Sequence, residues 1–149
     1  MKSFNQWMLE YAESHQNTVN IKIHTVAVPI IFIVTIGLLW LIPNPEFLGG
    51  QAIRIVHLFI GLSLTFYLRL GFKVFLTMFI FVAISIYANS LGLKLFAEKY
   101  VWFLLGLFAI SWFAQFYGHK IEGKKPSFLN DLQFLLIGPV WVFKKINVL

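Results

Sequence analysis

Four apolar runs with no charge inside them dominate this chain. Thr25–Ile42, Ile55–Leu68, Val74–Leu93 and Val101–Gly118 contain no Asp, Glu, Lys or Arg, and Arg54, Arg69, Lys73, Lys94 and Lys99 stand at their edges. A helix that crosses a bilayer needs about 20 mostly apolar residues, with a range of roughly 17 to 25. Three of the runs meet that length, and the second does so as 53–70 if Arg54 and Arg69 snorkel at its ends. The first run closes on Pro43-Asn44-Pro45, which cannot continue a helix. Trp102, Trp112 and Tyr117 lie near the ends of the fourth, as in an interfacial aromatic belt.

The composition agrees. Of the 149 residues 59% are hydrophobic and only 12% charged, against about a quarter charged in a soluble domain. Too few polar residues are present to coat a water-facing surface. With no cysteine, disulfides, zinc–thiolate sites, iron–sulfur clusters and thiol nucleophiles are excluded. The net charge of +6 does not point to nucleic acid, because the basic residues sit at the edges of apolar runs rather than on a stripe with stacking aromatics. The expected fold is an all-α integral membrane bundle in a single domain over 1–149. Its four spans lie near 25–42, 53–70, 74–93 and 101–118.

Two further segments complete that expectation. Trp7, Met8, Tyr11 and Ala12 follow helical spacing and predict a short N-terminal amphipathic helix on the membrane surface. Lys2, Glu10, Glu13 and Lys22 among its neighbours exclude a signal peptide. Near the C-terminus, Leu132–Phe143 is too short to cross and is interrupted by Gly138-Pro139, so 128–143 reads as interfacial or re-entrant. Four crossings put Lys2, Lys22, Arg69, Lys73, Lys120, Lys124 and Lys125 on one side, with Lys144 and Lys145 if the last segment does not cross. The positive-inside rule makes that side, and both termini, cytoplasmic. A short chain without a transit segment favours a bacterial inner membrane over the endoplasmic reticulum.

That topology brings two polar segments, a hundred residues apart, to one membrane face. Gln115, His119 and Glu122 stand at i, i+4 and i+7 and form one stripe on a continuous helix. His15 and His24 are nine apart, on opposite faces of an unbroken helix, and converge only if the chain turns between them. Asn17, Thr18 and Asn20 suit such a turn. A lone interfacial histidine is normally an anchor, and His57, beside Arg54 on the other side, reads that way. Three imidazoles and a carboxylate on one face are instead a candidate site for iron or zinc. Asn20 and Gln115 can orient such imidazoles through hydrogen bonds.

The spacings Tyr11-x3-His15-x4-Asn20-x3-His24-x4-Pro29 and Gln115-x2-Gly118-His119-x2-Glu122-x3-Pro126, with Asp131-Leu132 and Gly138-Pro139 after them, resemble the Mpo-type 2-hydroxy fatty acid dioxygenases. These are small multi-pass membrane proteins. The resemblance implies an Fe(II)-dependent enzyme of fatty acid α-oxidation, which converts a 2-hydroxy fatty acid and O2 to the acid one carbon shorter with release of CO2. It also implies His15, His24 and His119 as iron ligands, with Glu122 as a fourth ligand or its supporting partner. Lys120 and Lys124, with Lys125 and Lys22, are candidates to pair with the substrate carboxylate. Other classes compete: a haem-binding or non-catalytic bundle, and a zinc-dependent lipid hydrolase on the same ligands. His24 and His57 begin successive spans from opposite sides, a poor geometry for bis-imidazole haem. Span interiors without charge argue against ion transport.

Overall fold

The computed structural model describes residues 2–43, 54–123 and 128–149, and among them every regular element is helical. The order is α1 (Phe4–Glu13), α2 (Thr18–Leu41), α3 (Ile55–Leu70), α4 (Phe72–Phe96), a 3-10 turn (Ala97–Lys99), α5 (Tyr100–Glu122) and α6 (Phe128–Lys145). Each expected span falls on a helix, α2 to α5 in turn. Two stretches, Thr18–Leu41 and Phe72–Glu122, are long and apolar enough to cross a membrane, whereas Ile55–Leu70 is a shorter apolar helix. Large apolar side chains stand exposed along α3, α4 and α5, among them Leu62, Phe72, Leu95 and Phe113.

The helix ends have local causes. Ser3 caps α1: its hydroxyl accepts from the Gln6 amide, and the Gln6 side chain accepts from the Ser3 amide. Asn17 caps α2, its side-chain oxygen accepting from the Val19 amide at 2.9 Å and its carbonyl from the Ile21 amide. Helix α2 stops at Leu41, ahead of Pro43; Asn44 and Pro45 lie outside the described residues. At α3 the Arg54 amide donates to His57 Nδ1 at 3.0 Å, and the His57 ring lies edge-on to Trp40. His57 thus serves as a helix-capping residue, a role that its position beside Arg54 did not indicate. Gly123, at φ 72°, follows the end of α5.

The chain forms two compact units. One comprises 33–106, and the other 1–32 with 107–149. In the first, Asn89 donates to the carbonyls of Ile33 and Ser85, and its oxygen accepts from the Tyr100 hydroxyl at 2.8 Å. One buried amide thereby ties α2, α4 and α5 with every polar atom satisfied. Gly37 and Gly92 leave room for that arrangement, since a Cβ at either would strike Asn89 or the Tyr100 ring.

The second unit holds the polar segments, and here two expectations change. The apolar face of α1 does not lie free for a membrane: Trp7, Met8 and Tyr11 are buried, and Tyr11 packs on Phe134 and Trp141 of α6, with ring centroids 5.1 and 5.2 Å apart. An amphipathic pattern shows which face is apolar but not what covers it. Nor does Gly138-Pro139 interrupt α6, which runs on to Lys145. The pair instead permits close packing, because a Cβ at Gly138 would come within 2.8 Å of Val28 Cγ1 and 3.1 Å of the Tyr11 hydroxyl. Gly138→Ala is therefore expected to lower stability by about 1–3 kcal/mol through overpacking, read as a drop in the thermal midpoint of the detergent-purified protein. An unchanged midpoint would mean that α6 is free to shift away from α2.

Candidate metal centre

His15, His24 and His119 meet inside the second unit. All three are buried, and their available ligand atoms lie within 4.8 Å of one another. The ring centroids are 4.3 Å apart for His15 and His24, 4.9 Å for His24 and His119, and 5.4 Å for His15 and His119. The required turn is there: α1 ends at Glu13, α2 starts at Thr18, and the bend between them brings the His15 ring against that of His24.

Main-chain carbonyls set the tautomers. His15 Nδ1 lies 2.6 Å from the Tyr11 carbonyl oxygen and His24 Nδ1 3.0 Å from that of Asn20. A carbonyl only accepts, so each Nδ1 carries the proton and each Nε2 keeps its lone pair. His15 Nε2 is buried and has no hydrogen-bond partner among the described residues. Burial pushes the His15 imidazole down to about 4, and the neighbouring His119 acts in the same direction, against the Tyr11 hydrogen bond and Glu122. At neutral pH this ring is uncharged, which is the form that ligates a metal. Tyr11 stacks on it at 4.2 Å with the planes 4° apart.

Glu122 is placed beside this cluster rather than in it. Its Oε1 accepts from the Gln16 amide at 2.8 Å, and its Oε2 from the Asn17 amide at 2.9 Å and from Asn20 Nδ2 at 3.0 Å. Asn20 Nδ2 also donates to the Ser14 carbonyl. One carboxylate thus fastens the end of α5 to the turn that carries His15. These hydrogen bonds to a charged acceptor are of the stronger class.

Of the residues expected near the substrate, Gln115 lines a small cavity of about 30 Å³ together with the three histidines, Tyr11 and Trp112. Asn20 is buried in the Glu122 network. Lys120 is exposed and Lys22 likewise; Lys124 and Lys125 lie outside the described residues. Two aromatic residues of the site were not anticipated. Trp112 lines the cavity with its indole N–H buried and unpartnered among the described residues, and the Trp141 ring lies 5.3 Å from that of His15. Trp112 was legible: it continues the stripe of Gln115, His119 and Glu122 at helical spacing. No sequence signal marked Trp141, which reaches the site through tertiary packing.

Gly118 brings α5 against α2. A Cβ there would run into Asn20 Oδ1 and reach 3.4 Å from His24 Cε1. Gly118→Ala is expected to push Asn20 away from Glu122 and cost about 1–3 kcal/mol, with faster hydrogen exchange at the Gln16 and Asn17 amides than in the parent protein. Equal exchange would show that the Glu122 clasp does not depend on this close approach.

No curated protein and no solved structure matches the chain. A family profile described as 2-hydroxy-palmitic acid dioxygenase Mpo1-like matches residues 1–148. That match covers both polar segments and all the helices between them, and the chain belongs to the Mpo1-like family.

Proposed function

We propose that this protein is a membrane-bound Fe(II) dioxygenase of fatty acid α-oxidation. It takes a 2-hydroxy fatty acid and O2 to the acid one carbon shorter, CO2 and water. Those products balance the substrates in atoms and electrons, so no outside reductant is consumed. The observation that carries the reading is the convergence of three buried imidazoles in a member of a family described by this reaction. The donor set suits the metal: all-nitrogen imidazole sites hold iron or zinc, and no thiolate competes.

His15, His24 and His119 would hold the ion. Bound iron supplies a Lewis-acidic, redox-active centre for the hydroxy acid and O2. The chain's own groups do the positioning. The Tyr11 and Asn20 carbonyls fix the His15 and His24 rings, the supporting arrangement that metal-bound histidines generally need. Glu122 acts through Asn20 and the 14–17 turn as a positioning carboxylate in place of a direct ligand. Gln115, in the wall of the cavity, is suited to hydrogen-bond the substrate's carboxylate or hydroxyl. Lys120 and Lys124 provide positive charge that attracts an acidic head group. Asn20 serves the substrate only indirectly, through the rings it orients.

Helices α2 to α5 are read as four crossings with both termini cytoplasmic, in a bacterial inner membrane. Support comes from the basic residues gathered on one side and from the apolar side chains exposed along α3 to α5. Helix α6, capped by Lys144 and Lys145, then lies at the interface.

Elemental analysis of detergent-purified protein tests the site. About one iron per chain is expected, lost in His15→Ala, His24→Ala and His119→Ala alike; full metal content in all three would remove the assignment. Glu122→Ala should retain the three ligands yet bind iron roughly 10–100-fold more weakly, as expected when a supporting partner is lost. A carboxyl-labelled 2-hydroxy fatty acid should release labelled CO2 only under O2. Zinc in place of iron, with no CO2 released, would sink the dioxygenase and direct the search to hydrolysis.

A further inference from the structure

The cavity at the histidines, about 30 Å³, has room for an ion or a water molecule but not for an acyl chain. A second, larger cavity of about 640 Å³ lies in the same unit, between α1 and the C-terminal end of α6. That volume falls in the usual range for small-molecule sites, roughly 300–1,000 Å³. Asn5, Met8, Leu9 and Ala12 line it on α1, and Trp141, Lys144 and Lys145, with Asn147 just after the helix, line it on the α6 side. Leu9 is 69% exposed, an apolar side chain presented to whatever enters. Both lysines are exposed. Lys144 lies over the Phe4 ring, and among the described residues no carboxylate pairs with either lysine. Trp141 is a wall common to both places: it borders this groove, and its ring lies 5.3 Å from His15.

We propose that the α1–α6 groove is a binding site for a single-chain aliphatic carboxylate, with the chain along Met8 and Leu9 and the head group on Lys144 and Lys145. A largely apolar wall, with Asn5 and Asn147 at its edges and two cations at one end, matches an amphiphile with one anionic end. A flat anionic bilayer surface would also attract the lysines, but it would not fill a concave space of this size. The groove then serves as a holding station beside the metal centre, separated from it by Trp141. Only the choice of a fatty acid rests on the dioxygenase reading; binding in the groove requires no metal.

The test uses the whole protein in phosphatidylcholine nanodiscs and a photoactivatable palmitic acid with a mid-chain diazirine. Crosslinks are expected in peptides covering 5–12 and 141–147, competed by unlabelled palmitate. Reversing both charges, Lys144→Glu with Lys145→Glu, should reduce labelling about tenfold, equivalent to about 1.4 kcal/mol. The methyl ester of the probe should label as weakly as that variant. Leu9→Trp, which fills the groove without touching its charge, should also reduce labelling. Ester labelling equal to that of the acid, or labelling unchanged in both variants, would overturn the proposal. So would a loss seen only in discs containing anionic lipid, which would assign the lysines to the membrane surface. Metal content measured on the same samples keeps the two readings apart. Labelling without metal would leave the groove and remove the dioxygenase, and metal without labelling would do the reverse.

Discussion

The site depends on one carboxylate. Glu122 accepts hydrogen bonds from two backbone amides and one side-chain amide across about a hundred residues of sequence. Bringing such distant segments together carries a loop-closure cost that grows only slowly with length, so a few well-placed contacts can offset it. The geometry makes each contact count. The Gln16 and Asn17 amides precede α2 and have no partners within a helix, while Asn20 faces the close approach at Gly118. A hydrocarbon side chain at 122 would take their shared acceptor from all three donors. The turn that carries His15 is therefore held by this one carboxylate.

The imidazoles are prepared by the same economy of contacts. Two of them spend one nitrogen on a carbonyl four residues back, Tyr11 for His15 and Asn20 for His24. That choice fixes the ring and turns the other nitrogen toward its neighbours. Burial holds His15 neutral, so a cation arriving at the cluster meets lone pairs instead of protons. Three imidazole nitrogens without a carboxylate would hold a divalent ion more weakly than a set containing one.

Much of this could be read from sequence, and the reasons for the rest are physical. Uncharged runs of helical length located α2 to α5, because burial or lipid contact demands apolar residues whatever the tertiary arrangement. The i, i+4, i+7 spacing placed Gln115, His119 and Glu122 on one face, and the nine-residue gap between His15 and His24 demanded the turn that Asn17 caps. What failed was partnership. The apolar face of α1 has the same pattern whether it meets lipid or α6. Gly138-Pro139 has the same composition whether it ends a helix or lets one pass close to Val28. Glu122 reads from its spacing as a ligand or a supporting partner alike, and its hydrogen bonds to the Gln16 and Asn17 amides come only with the packing. Periodicity gives the direction of a side chain, and only packing gives its neighbour.

The division of the molecule follows from the same limits. Among the described residues of the unit 33–106 the buried polar side chains are few, and Asn89 satisfies its own by bonding to Ile33, Ser85 and Tyr100. In the other unit, histidines, amides and a carboxylate must be kept together at a dry site yet remain reachable. The small cavity answers the first demand, since it is too small for an acyl chain. The second demand needs an opening lined by residues tolerant of both an apolar chain and a charge. The α1–α6 groove has that character, and Trp141, which lines it, has its ring 5.3 Å from that of His15.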